Sequence, residues 1–186
     1  MELTILIPSL NEEKTIGMCI EKAKTFLKTH NIDGEILISD NGSTDNTKEI
    51  AKRLGARVVI SYKKGYGEAL KKGNKQAKGK FTIMGDADDS YNFLELENIL
   101  EKLRNGNHLV VGNRYKGKME KGSMKVMHKY IGTPLISFFG RVLYKIPVRD
   151  FNCGLRGFVT DEINKLDFKS SRNGICNWNV NKGEKG

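Results

Sequence analysis

Short apolar runs alternate with amphipathic stretches through the first 113 residues, and this alternation restricts the fold more than any other feature of the chain. The runs are LTILIP (Leu3 to Pro8), EILISD (Glu35 to Asp40), ARVVIS (Ala56 to Ser61), KFTIMG (Lys80 to Gly85) and HLVVGN (His108 to Asn113). Each is short, and the first two are rich in Ile and Leu, as buried strands require. Between them, Glu12 to Lys28 carries apolar residues at Ile16, Ile20, Ala23, Phe26 and Leu27, the spacing of one helical face. NGSTDNTKEIAKRLG offers Ser43 or Thr44 as N-cap, basic residues in its last turn and Gly55 as a stop. Gly67 to Ala77 and Phe93 to Arg104 complete the set. Strands that alternate with helices predict an α/β fold with a mainly parallel central sheet and helices on both faces.

Ligands of such sheets bind beyond the carboxyl ends of the strands, near a topological switch point. Three polar clusters fall at that edge: SLNEE, DNGSTD and GDADDS. In the last, an extended Asp86-Ala87-Asp88 would direct both carboxylates to one side, because alternate residues of a strand share a face. Two hard oxygen donors suit Mg²⁺ or Mn²⁺ bridging to a substrate diphosphate. By itself, DxD also fits a solvated turn; its position at the mouth of a parallel sheet favours the metal. KKGYGEALKKG (Lys63 to Gly73) matches neither a Walker-type nor a dinucleotide glycine pattern. It is expected to turn into a helix, with Lys63 or Lys64 available to an anion.

Residues 1–100 balance 15 Lys and Arg against 15 Asp and Glu, so the +10 formal charge lies wholly in residues 101–186. This asymmetry points to an anionic partner: a phosphate, a membrane surface or nucleic acid. Nucleic acid is disfavoured, since no RNA-recognition, KH or helix-turn-helix signature occurs and a backbone binder has no use for three aspartates at a sheet edge. Cys19, Cys153 and Cys176 are far apart, as are the three histidines, which predicts reduced structural thiols and no local zinc site. The N-terminus lacks the basic segment and cleavage site of a signal peptide, so a cytoplasmic protein is expected. Met124 to Val148 is too charged and too broken by Gly and Pro to span a bilayer. It reads either as an amphipathic helix or two packed on the sheet, or as a helix lying on a membrane surface.

TILIPSLNEEKTI, ILISDNGSTDNT, GYGEALKKG, MGDADDSY, VGNRY and RDFNCGLRGF stand in an order and spacing that resembles the family 2 glycosyltransferases. The branch they look most like contains the dolichyl-phosphate mannose synthases and polyprenyl-phosphate glucosyltransferases, and the match runs from Leu3 to Asn173. The resemblance implies a type A glycosyltransferase fold, Rossmann-like, and transfer of a sugar from a nucleotide-sugar donor to a lipid-phosphate acceptor at the cytoplasmic face of a membrane. It further implies that Pro8, Leu10 and Glu12 line a nucleoside pocket, that Ile38 and Asp40 meet the base, and that Asp86 and Ala87 meet the ribose or phosphates. Asp88, with Asp86, would hold Mg²⁺ or Mn²⁺. Arg114 and Arg156 match arginines that face donor or acceptor phosphates, a role for which a bidentate guanidinium is suited. Asp150 would be the general base for a hydroxyl acceptor; a phosphate acceptor is already anionic, and Asp150 would then orient Arg or substrate. Direct displacement with inversion at the anomeric carbon is the reaction implied.

The chain departs from the family pattern at three places: Leu10 stands where an aromatic is usual, Asn41 replaces the second acid of DDGS, and Asp89-Ser90 replaces LQ. After SSRNG, where the family would continue with something like MEFATEMLIKA, the chain reads ICNWNVNKGEKG. With suitable codons, the DNA for Gly174 to Lys185 reads EFATGMLIKAK in another frame, so a frameshift that ends the frame early is the expectation. Residues 1–174 would then be a single catalytic domain incomplete at its C-terminal end, and residues 175–186 a disordered polar tail. A cytosolic glycosyltransferase with a hydroxyl acceptor, and a truncated remnant that binds nucleotide without catalysis, are the alternatives.

Overall fold

The computed structural model describes residues 1–112 and 153–165. Its strands are β1 (Leu3–Ser9), β2 (Gly34–Asp40), β3 (Arg57–Ile60), β4 (Phe81–Met84), β5 (Leu109–Val111) and β6 (Arg156–Val159). Its helices are α1 (Ile16–Thr29), α2 (Thr47–Arg53), α3 (Tyr66–Gln76), α4 (Glu97–Arg104) and α5 (Thr160–Asn164). The six strands form one sheet in the order β3-β2-β1-β4-β6-β5. Strands β1 to β4 run parallel, and β6 is antiparallel to both β4 and β5. The mainly parallel α/β sheet is therefore as expected, while β6 comes from the RGF of a motif too short and too glycine-rich to declare itself a strand.

Both faces of the central strands are buried, which is why their sequences are almost continuously apolar. Leu3, Ile5, Ile7, Ile36, Ile38, Phe81 and Ile83 face one layer, filled by Ile16, Ile20, Ala23 and Phe26 of α1 and by Ile99, Leu100 and Leu103 of α4. Leu6, Leu37, Met84 and Phe158 face the other, with Leu70 of α3 and Ile163 of α5. On that second face α3 lies close to the sheet, because a Cβ at Gly73 would come within 2.4 Å of Leu6 Cδ1. The polar residues at the amino end of the sheet pair among themselves. Arg57 grips Glu35 through two bonds of 2.8 and 2.9 Å, and Thr4 Oγ1 donates to Glu35 across 3.0 Å.

Three helices end alike, and the sequence states each ending. After α1, α2 and α4 the chain enters the left-handed region at Asn31 (φ 49°), Gly55 (φ 82°) and Gly106 (φ 89°). At the end of α2 the Gly55 N–H bonds to the Lys52 carbonyl and the Ala56 N–H to that of Ala51, both at 3.0 Å, the doubled closure of a Schellman motif. The helix starts are less legible. α2 begins at Thr47 after Asn46, not at Ser43 or Thr44, and α1 and α4 begin at Ile16 and Glu97, not at Glu12 and Phe93 where the expected helical stretches start.

The displaced starts of α1 and α2 have a common cause. The loop after β1 and the loop after β2 bind each other, side chain to backbone. Asn11 N–H donates to Ser43 Oγ (2.9 Å), Glu12 N–H to Thr47 Oγ1 (2.8 Å) and Glu13 N–H to Asp45 Oδ2 (3.1 Å). In return Asn11 Oδ1 accepts the Thr44 N–H (2.8 Å) and Glu13 Oε2 that of Asn46 (3.2 Å). Residues that would otherwise cap their own helix thus close the gap between two neighbouring loops.

Asn11 also holds φ 57°, a conformation asparagine tolerates better than most residues. Asn11→Ala is expected to destabilise the fold by about 1–2 kcal/mol, and Asn11→Gly by less; equal denaturant midpoints for Asn11→Ala and wild type would contradict the tie. At Glu35, burial alone would raise the carboxyl, but hydrogen bonds from Arg57, the Lys78 N–H and Thr4 outweigh it and hold the group below its usual 4.5. Its contribution is therefore complete above about pH 4.5 and is lost as the pH falls through the lower, folded value. Between pH 6 and pH 3 the melting temperature of wild type should fall further than that of Glu35→Gln; parallel curves would contradict this.

Candidate active site

The sheet is wound in two directions from its middle, since β1 is flanked by β2 on one side and β4 on the other. The two pairings end at different heights. β1 stays with β2 as far as the Ser9 to Asp40 pair, but its pairing with β4 stops at Leu6 and Met84. Proline cannot donate to a ladder, and Pro8 stands where the β4 partner has already left. Beyond this point a cleft of about 290 Å³ opens.

Pro8, Leu10 and Glu12 from the β1 loop line this cleft, with Asp86, Ala87 and Asp88 from the β4 loop opposite. Leu10 is an exposed large apolar residue (50%), and its side chain is a ready surface for the apolar part of a ligand. Asn41, Tyr66 and Ala69 complete the wall. Asn41 was visible in sequence only as a departure from a pattern, and Tyr66 only as a spacer between two glycines. The structure gives both work. Asn41 Nδ2 donates to the Lys63 carbonyl and its Oδ1 accepts the Gly65 N–H, each at 2.7 Å, which fixes the loop that leads into α3. Tyr66, at the head of α3, donates its hydroxyl to Asp86 Oδ1 at 2.7 Å.

Asp86-Ala87-Asp88 is not extended. β4 ends at Met84, Asp86 follows outside the strand, and Ala87 and Asp88 lie in the turn beyond it. Asp86 and Asp88 still share the cleft, because the turn brings round what a strand would have aligned. Asp88 Oδ1 accepts both the N–H (3.0 Å) and the hydroxyl (2.6 Å) of Ser90. Against the Asp86 carboxylate lies Gly154: a Cβ there would fall 2.3 Å from Oδ2, and the Gly154 N–H is held by Tyr91 Oη at 2.7 Å. The glycine of the NCG segment is required at this spot because a carboxylate occupies the space a side chain would take.

Other expected site residues are placed elsewhere. Ile38 is fully buried and belongs to the core beneath α1, because its strand alternation groups it with Ile36. Asp40 is also fully buried; its Oδ1 accepts the N–H groups of Gly42 and Ser43 at 3.0 Å, so it shapes the turn that presents Asn41. Arg156 is buried in β6 beside Met84, with Nε donating to the Cys153 carbonyl at 2.9 Å, and does not line the cleft. Arg114, Asp150, Met124 to Val148 and residues 175–186 lie outside the described residues. Among the described residues no group of three or more His, Cys, Asp or Glu converges as a metal cage. A divalent ion in this cleft would take Asp88 and Asp86 and complete its shell with water and ligand phosphate, the usual habit of Mg²⁺.

On the far side of the turn, Cys19 Sγ–H faces the Ala87 carbonyl at 3.4 Å and Lys22 Nζ reaches both oxygens of Asp89 at 2.7 and 2.9 Å. Burial pushes the Cys19 thiol up to about 11, so it is a packing group and not a nucleophile.

Comparison with known proteins agrees with this geometry. Residues 4–165 match the model of glycosyl transferase family 2. A low-salt glycan biosynthesis hexosyltransferase of Haloferax volcanii is 38% identical over 170 residues, which cover 91% of this chain and 41% of the relative. The dolichyl-phosphate beta-glucosyltransferase of Homo sapiens is 26% identical over 180 residues, 86% of this chain and 55% of that protein. The chain thus spans about half the length of these curated relatives. A crystal structure of glucosyl-3-phosphoglycerate synthase from Mycobacterium tuberculosis with Mn²⁺, UDP and phosphoglyceric acid superposes with a TM-score of 0.69 at 24% identity, covering 90% of this chain and 58% of that one. The sheet order, the switch-point cleft and the extent of the family match lead to one assignment: this chain belongs to glycosyltransferase family 2 and has its type A fold.

Proposed function

We propose that this glycosyltransferase moves a hexose from a nucleotide-sugar of the UDP-glucose or GDP-mannose type to a polyprenyl or dolichyl phosphate, with Mg²⁺ or Mn²⁺ and with inversion. Asp86 and Asp88, set across one cleft from Pro8, Leu10 and Glu12, carry this reading. The likeness to a dolichyl-phosphate glucosyltransferase supports the lipid-phosphate acceptor, and the hexosyltransferase relative supports the sugar class.

In this reading the nucleoside lies on Pro8 and the exposed Leu10, with Asn41 and the loop it ties closing the end of the pocket. Asp86, held by Tyr66, orients the ribose or the first phosphate; Asp88 holds the cation. The cation's chemistry is to neutralise the charge that builds on the leaving diphosphate. An acceptor phosphate oxygen then bonds to the anomeric carbon from the side opposite the breaking bond to the diphosphate. That oxygen is anionic at neutral pH and needs no protein base. Among the described residues no helix is long and apolar enough to cross a membrane. In this reading the basic second half of the chain is the candidate for contact with the cytoplasmic face of a membrane that carries the lipid acceptor.

Purified protein should bind either UDP-glucose or GDP-mannose in a titration calorimeter more tightly with Mn²⁺ than without it, and should label a polyprenyl phosphate from that donor. Asp88→Ala should lower transfer by about 100-fold or more without changing the melting temperature. Donor binding that ignores both the metal and the Asp88 substitution would contradict the proposal.

A further inference from the structure

The turn that carries Asp88 alternates its contacts. Asp86 and Asp88 face the cleft, whereas the Ala87 carbonyl and the Asp89 carboxylate face α1. The two α1 residues that meet them, Cys19 and Lys22, are three apart and so lie on one stripe of the helix. Cys19 is fully buried. The Lys22–Asp89 pair is mostly shielded, with side-chain exposures of 27% and 16%, and both carboxylate oxygens are engaged. Asp89 itself holds φ 61°, in the left-handed region that non-glycine residues rarely enter. A residue held there by an ion pair fixes the direction in which its predecessor, Asp88, leaves the turn.

We propose that Lys22 is a positioning residue for the metal-bearing carboxylate: by gripping Asp89 it holds the turn in the one conformation that presents Asp88 to the cation and diphosphate. Asp89 is thus an anchor of the site and not one of its ligands, which accounts for the third aspartate of GDADDS. The pair costs little at the metal itself, because the negative charge that is neutralised belongs to the residue that points away from the cleft. The inference rests on the metal and diphosphate reading of the cleft, but predicts something that reading alone does not.

Three variants separate the possibilities. Lys22→Met keeps the helix stripe apolar and removes the charge. Asp89→Asn also removes the ion pair while keeping a side chain that tolerates a positive φ. Lys22→Arg keeps the pair. For each, UDP binding is measured by calorimetry without metal and across a Mn²⁺ titration, and amide hydrogen exchange of residues 87–90 is followed in the metal-free protein. Lys22→Met and Asp89→Asn should raise the half-saturating Mn²⁺ about five- to tenfold, the loss of one partly buried pair, and leave metal-free UDP affinity unchanged. Their turn amides should exchange faster, and Lys22→Arg should restore both readouts. If wild type shows Mn²⁺-dependent UDP binding and the two variants match it, the positioning role is wrong and the site reading stands. If wild type shows none, the site reading fails and the positioning role falls with it; faster exchange would then report only a structural pair.

Discussion

The structure depends on how the parallel strands leave the sheet at their carboxyl edge. Between neighbouring strands the backbone groups pair in ladders, but beyond Ser9, Asp40 and Met84 the chain turns away and most of its N–H and C=O groups need other partners. Side chains of adjacent loops supply the missing partners. Asn11 and Glu13 serve the loop after β2, Ser43, Asp45 and Thr47 serve the loop after β1, and Asn41 serves the loop before α3. Much of the polar sequence at this edge is therefore committed to holding the edge itself. The cleft lies between the β1 and β4 loops.

This commitment sorts the acidic residues by what they touch. Asp40 is spent on backbone N–H groups of its own turn, Asp45 on neighbouring N–H groups, and Asp89 on Lys22. Asp86 and Asp88 reach the cleft. Each is oriented by a hydroxyl, that of Tyr66 on the first and Ser90 on the second, which narrows the directions its carboxylate can face. A cation at this point would meet a pair already aligned, and alignment before binding is what turns two surface carboxylates into a site.

Much of this was legible in the chain. The apolar runs gave β1 to β5, because strands buried on both faces cannot hide their composition, and Gly55 marked the end of α2 because only a few residues accept its φ. The edge clusters led to the cleft, since carboxyl-edge loops of a doubly wound sheet converge by topology. Less was legible where one residue type serves two purposes. Ser43 and Thr44 have the chemistry of N-caps, yet they bond to the loop across the gap, and no local pattern distinguishes the two. β6 was hidden because Gly157 is there for the close approach of Ile99 and Leu103, so the strand lacks the β-branched signature. Ile38 and Arg156 belong to motifs that point to a ligand, yet their side chains are buried away from the cleft wall; a motif records that a segment matters, not which atoms of it meet the ligand.

The most direct test of the account is a crystal soaked with UDP and Mn²⁺ and recorded at a wavelength where manganese scatters anomalously. The account predicts one anomalous peak between the Asp88 carboxylate and the diphosphate, at roughly the 2.0–2.6 Å expected for oxygen ligands of such cations, with the nucleoside against Pro8 and Leu10 and Asp89 still on Lys22. A nucleotide bound away from the β1–β4 cleft, or a manganese ion ligated by Asp89 in place of Asp88, would contradict it.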